Sequence, residues 1–134
     1  MWSDKVMGSK IEIRYIYHSG FTVETDQHVM VFDYYKGRID WSSIPEKKIY
    51  VFASHTHPDH FNREIFAWKA QRPGIRYILS SDIAELPVPV AEVNYIAPYQ
   101  ELEVDDLKIK AFNSTDVGVA FFIECEGVKI FHAG

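Results

Sequence analysis

Only one cysteine occurs in the chain, Cys125, so no disulfide forms within it. A reducing compartment is the simplest home for such a chain, and a cytoplasmic location is expected. Long apolar runs are missing too: none approaches the roughly 18–20 residues that cross a bilayer. The N-terminus, Met1-Trp2-Ser3-Asp4-Lys5, lacks the basic-then-apolar order of a secretory signal. Basic residues are outnumbered, 14 Lys and Arg against 19 Asp and Glu, for a formal charge of −5. That disfavours capture of nucleic acid on a broad basic face, although a local basic groove is not forbidden. The 7 glycines and 6 prolines gather nowhere into a linker, and no internal repeat or low-complexity tract occurs. One domain over residues 1–134 is expected.

What the chain does have is bulk. Hydrophobic residues make up 47% of it and aromatics 15%, enough to build a packed core and to exclude disorder as the main state. Apolar and polar residues alternate from Ile11 to Tyr17 and again from Phe21 to Thr25, as on half-buried strands. With Val29-Met30-Val31-Phe32, which ends at Asp33, these predict an opening meander of three strands. Residues 34–48 are irregular. Ile49-Tyr50-Val51-Phe52-Ala53 is continuously apolar and suits a strand covered on both faces. A helix is expected after it, capped by Asn62, with Ile65, Phe66 and Trp68 on one side and Arg72-Pro73-Gly74 as its stop. Further strands are expected at Ile75–Leu79, Val93–Ile96, around Leu102 and Val104, and from Leu107 to Ala111. A short helix through Ala84 and Glu85 should precede the second of these. A hairpin is expected from Val119–Glu124 and Val128–Phe131, joined at Glu126-Gly127. The order of elements predicts a layered α/β domain.

The chemistry concentrates in His55-Thr56-His57-Pro58-Asp59-His60, where three imidazoles and a carboxylate directly follow the buried strand. Imidazole nitrogen and carboxylate oxygen are the usual ligands of a catalytic zinc, at about 2.0–2.2 Å. A second pair could serve a second ion about 3.5–4 Å from the first. Helix capping is a competing role for Asp59, but it leaves the three histidines unexplained.

This segment resembles the H-x-H-x-D-H signature of the metallo-β-lactamase superfamily. The preceding strand, the following helix and the meander ending in Phe32-Asp33 resemble that fold's N-terminal half. The tail Phe131-His132-Ala133-Gly134 resembles the stretch before the family's bridging aspartate. The resemblance implies an α/β fold, a metallo-β-lactamase-like αββα sandwich of which only the first αβ half is present. It implies zinc, one or two ions, with manganese or iron as alternatives. His55 and His57 would hold the first ion, and Asp59 and His60 the second. Asp59 would also act in catalysis by orienting the attacking water. The expected function is metal-dependent hydrolysis of a small-molecule ester, amide or phosphodiester.

Two features depart from the family pattern. The stretch Phe112-Asn113-Ser114-Thr115-Asp116-Val117-Gly118 has no histidine where the family supplies one, so Asp116 either substitutes as a ligand or fixes the turn before Gly118. The bridging aspartate and a final histidine would both lie after Gly134. A catalytically incomplete fragment or assembly module is therefore the alternative, pairing with a complementary C-terminal half or as a homo-oligomer through a sheet face left uncovered at Val128–Phe131. Among lesser candidates, His18 and His28 read as turn residues, with His28 solvent-exposed. His132 adjoins the expected metal region. Asp33 could hydrogen-bond a loop histidine. Cys125 reads as packing. Tyr34, Tyr35 and Trp41 form a substrate wall or cover the core.

Overall fold

The computed structural model describes residues 11–17, 20–44, 46–83, 93–114 and 118–133. His18, Asp116 and the expected helix through Ala84 and Glu85 lie outside the described residues. Ten strands are described: β1 (Glu12–Tyr17), β2 (Gly20–Glu24), β3 (His28–Phe32), β4 (Lys48–Ala53), β5 (Arg76–Ser80), β6 (Val93–Ile96), β7 (Glu101–Val104), β8 (Leu107–Asn113), β9 (Val119–Cys125) and β10 (Val128–His132). They form a six-stranded sheet in the order β1-β2-β3-β4-β5-β6 and a four-stranded sheet in the order β10-β9-β8-β7. Among the described residues no helix is long and apolar enough to cross a membrane.

The first sheet changes direction of pairing partway across. Strands β1 to β3 are the antiparallel meander expected from their alternation. Strands β3 to β6 are parallel, with Phe32 beside Phe52, Ala53 beside Leu79 and Ser80 beside Ile96. Parallel pairing brings the carboxyl ends of β3, β4 and β5 to one edge, where ligand sites of open α/β sheets form. It also buries both faces of the inner strands, so every residue of β3 is buried, as are the five from Ile49 to Ala53.

One face of this sheet, carrying Val29, Val31, Ile49, Val51, Tyr77 and Leu79, packs beneath a 3-10 helix over Arg63–Ala70. Asn62 caps that helix by accepting from the Glu64 amide at 2.8 Å. Three residues per turn place Ile65 and Trp68 on the same edge, and both are buried. Tyr34 and Trp41 meet Trp68 edge to face at 4.8 and 5.4 Å, so both help to cover this core.

The other face carries Met30, Phe32, Tyr50, Phe52 and Ile78, and packs on the inward residues Leu107, Ile109, Phe121 and Ile123 of the second sheet. Phe32 stacks on Phe52 at 4.7 Å, and Phe121 meets Phe52 edge-on at 5.1 Å. Full burial of each such ring is worth about 2–3 kcal/mol. The described residues thus form a partial α/β sandwich, with one helical layer and two facing sheets. The hairpin turn at Glu126-Gly127 has φ of 54° and 74°, the paired positive values of a tight hairpin loop. Strand β10 is half-covered: Ile130 packs into the core between the sheets, while Phe131 points outward and is 60% exposed.

His28 corrects the sequence expectation. It is 1% exposed, not solvated. Its Nε2 lies 2.8 Å from Asp106 Oδ1, and its Nδ1 is hydrogen-bonded to Glu126 Oε2. Both acids sit on turns of the second sheet, which close over the start of β3. Although burial opposes the charge of Asp106, the hydrogen bond and charge of His28 hold its carboxyl below the usual range. Cys125 is buried nearby, and desolvation pushes its thiol up to about 12, in keeping with packing.

Candidate metal centre

The site lies at the edge where β3, β4 and β5 end. Asp33 follows β3, Ser54 and His55 follow β4, and Asp82 lies in the turn after β5. Asp33 is fully buried with φ of 51°. Its Oδ1 accepts from the Ser54 amide at 2.7 Å and its Oδ2 from the Ser54 hydroxyl at 2.6 Å. The same Oδ2 lies 2.9 Å from His60 Nδ1. Burying a carboxylate is tolerable only with such partners, and here they tie the end of β3 to both ends of the histidine loop.

His55 is 6% exposed, and its Nδ1 lies 2.8 Å from Asp82 Oδ2. The ring of His57 packs edge to face on that of His55 with centroids 4.0 Å apart, and the His60 ring is 5.8 Å from His55. His60 Nε2 is 3.5 Å from Asp59 Oδ2. Residues 58–60 form a turn, held by the amides of His60 and Phe61 donating to the His57 carbonyl at 2.9 and 3.0 Å. That turn folds Asp59 and His60 back beside His55 and His57, so the structure brings together the four candidates from this segment. Asp116 lies outside the described residues.

The far wall comes from the second sheet. Gly118 has φ of +104°, and a Cβ on it would lie 2.2 Å from the Ser54 carbonyl and 3.1 Å from His55 Cβ. The next residue, Val119, donates its amide to that same carbonyl at 2.8 Å. Glycine is therefore required where β9 abuts the loop. His132, on β10, stacks on Phe32 at 4.9 Å and brings Nε2 to 3.9 Å from Asp33 Oδ2.

The donor set suits a transition-metal cation. His55 and His60 each have Nδ1 tethered to a carboxylate, the arrangement that orients metal-binding imidazoles through Nε2. Three imidazoles and Asp59 are nitrogen and oxygen donors of the zinc, manganese and iron type. The sequence pointed to Asp33 through its place at the end of a buried strand. It did not point to Asp82, whose partner His55 is 27 residues away.

A family model described as a beta-lactamase superfamily domain matches residues 12–134. The chain belongs to this superfamily. It is 25% identical over 140 residues to a protein named as a metal-dependent hydrolase in Thermococcus onnurineus, covering 92% of this chain and 61% of that one. Among solved structures it resembles a Parabacteroides distasonis protein proposed to be a metal-dependent hydrolase, with a TM-score of 0.72 and 15% identity over 95% of this chain and 61% of that one. It also resembles CmlA, a diiron β-hydroxylase from Streptomyces venezuelae, with a TM-score of 0.68 and 14% identity over 92% of this chain and 29% of that one. At these identities the structural likenesses speak to the fold. The chain spans about three fifths of the length of the curated relative.

Proposed function

We propose that this chain carries the metal-binding half-site of a hydrolase acting on a small-molecule ester, amide or phosphodiester. The carrying observation is the convergence of His55, His57, Asp59 and His60 at one sheet edge, with Nδ1 of His55 and His60 held by Asp82 and Asp33. His55 and His57 would hold one cation, Asp59 and His60 a second. Zinc is the leading choice, with manganese or iron as alternatives. A bound divalent cation supplies Lewis acidity and lowers the pKa of water toward about 7. Asp59, 41% exposed at its side chain, would orient the attacking water. Asp33 and Asp82 hold the rings behind it, and the buried ring of Phe32 stacks on His132 at the rear.

Metal content and hydrolysis of ester, amide and phosphodiester substrates, measured for the wild type and for His55→Ala and His57→Ala, test this reading. Stoichiometric metal in the wild type and its loss in both variants are expected. Unchanged metal content and unchanged activity in both would refute it. A second reading, an assembly module that binds metal without turnover, is favoured by the outward rings of Phe112 and Phe131, 40% and 60% exposed and 6.5 Å apart. Stoichiometric metal without turnover, together with pairing to a second copy or a complementary half in analytical ultracentrifugation, would support it.

A further inference from the structure

We infer that Asp82 is a positioning residue that selects the tautomer of His55 and thereby sets the affinity of the site for its cation. The inference rests on the metal-centre reading above. Asp82 Oδ2 takes two contacts from the histidine loop: His55 Nδ1 at 2.8 Å and the Thr56 amide at 3.1 Å. A carboxylate only accepts, so the ring nitrogen facing it carries the proton. In a neutral imidazole the lone pair then resides on Nε2, the atom a cation needs. An unconstrained histidine side chain prefers the opposite tautomer, with the proton on Nε2. Asp82 therefore reverses a preference that would otherwise work against binding.

The fold holds Asp82 firmly enough for this role. Leu79 of β5 is in register with Ala53 of β4, so the turn after β5 lies beside the loop after β4. The Ser81 amide donates to the Ile96 carbonyl at 2.9 Å and the Ile83 amide to the Ser80 carbonyl at 3.0 Å, pinning the turn on both sides of Asp82. Ile83 is 2% exposed and anchors the same turn in the helix-side core. Because Oδ2 also holds the Thr56 amide, between His55 and His57, one oxygen sets both the tautomer of the first ring and the backbone leading to the second.

The test has two arms on the full chain. In metal-free protein at alkaline pH, nitrogen-15 NMR of the His55 ring reports the tautomer. Wild type is expected to carry the proton on Nδ1, and Asp82→Ala to shift toward the Nε2 form. In the second arm, zinc affinity is measured by competition with a chelator. Asp82→Ala is expected to bind about 10- to 100-fold more weakly, with Asp82→Asn in between, because its amide oxygen still accepts. Asp82→Asn preserves the side-chain volume and keeps the comparison valid if Asp82→Ala fails to fold. Zinc binding that needs His55 but is the same in both Asp82 variants as in wild type overturns the inference and leaves the metal centre standing. A wild type that binds no zinc overturns both.

Discussion

Gly118→Ala should loosen the histidine loop from the side of the second sheet. The added Cβ would sit 2.2 Å from the Ser54 carbonyl oxygen and 3.2 Å from His55 Cα, both backbone atoms that cannot swing aside. At φ of +104° an alanine also pays about 1–2 kcal/mol for left-handed backbone. Relief of the clash stretches the 2.8 Å bond from the Val119 amide to Ser54, whose net worth is about 1 kcal/mol. Together these predict a loss of about 2–4 kcal/mol. Gly127→Ala is the internal control: its φ is +74°, but nothing lies within 4 Å of the added Cβ. It should lose only the backbone share, about 1 kcal/mol. Urea unfolding of the two variants isolates the contact with the loop. With a slope of about 1.5–2 kcal/mol per molar, Gly118→Ala should lower the midpoint by about 1–2.7 M, and Gly127→Ala by less than about 0.7 M. Zinc affinity should fall in the first variant only. Equal midpoints, or an unchanged zinc affinity in Gly118→Ala, would show that β9 does not brace the loop.

Three further outcomes are expected. Asp33→Ala removes the acceptor for Ser54 N, Ser54 Oγ and His60 Nδ1; thermal unfolding should show a loss of about 2–4 kcal/mol, and the metal titration should weaken. His28→Ala leaves the Glu126 carboxylate, whose side chain is 12% exposed, without its imidazole partner; a loss of about 3 kcal/mol is expected, with metal content unchanged because His28 begins β3 and the site ends it. Stability should fall as pH rises above about 9. Burial pushes the Cys125 thiol up to about 12, while burial and the bond to Asp105 raise the Tyr50 hydroxyl. The unfolded chain therefore loses these protons first, and each group lowers stability by up to about 1.4 kcal/mol per pH unit between its unfolded and folded values. Cys125→Ala should make that decline shallower in urea titrations at successive pH values, and an identical slope would contradict it.

The strands were legible because they need only a two-residue period, and the periods of Ile11–Tyr17 and Leu107–Ala111 each imply one covered face. The Ile49–Ala53 run announced a strand covered twice. What local pattern could not supply was adjacency. Asp82 reaches His55 through the register of two parallel strands, and no feature near residue 82 encodes that register. His28 was misread for the same reason. Asp26-Gln27 beside it is polar and turn-like, which suggests solvent, yet its partners Asp106 and Glu126 arrive from 78 and 98 residues away. The helix after the metal motif was expected from Ile65, Phe66 and Trp68, and a three-residue turn serves Ile65 and Trp68 with fewer residues than a full α-helical face.

The imidazole clusters at the two ends of β3 differ in burial: His28 is 1% exposed, whereas of the three loop histidines only His55 is buried. His28, Cys125 and Glu126 bring donor atoms within 4.8 Å of one another, so among the described residues distance alone nominates this trio as a metal site. Yet both His28 nitrogens already face carboxylates, and Glu126 Oε2 also accepts from Thr25 Oγ1 at 2.6 Å. A cation entering there would have to displace those bonds and deprotonate a thiol that burial holds neutral. At the opposite end, Asp82 meets Nδ1 of His55, while His60 has Nδ1 beside Asp33 and Nε2 3.5 Å from Asp59 Oδ2. The same pairing of carboxylate with imidazole thus locks the sheets together where it engages both nitrogens. At His55 the carboxylate of Asp82 meets Nδ1, the contact on which the proposed choice of tautomer rests.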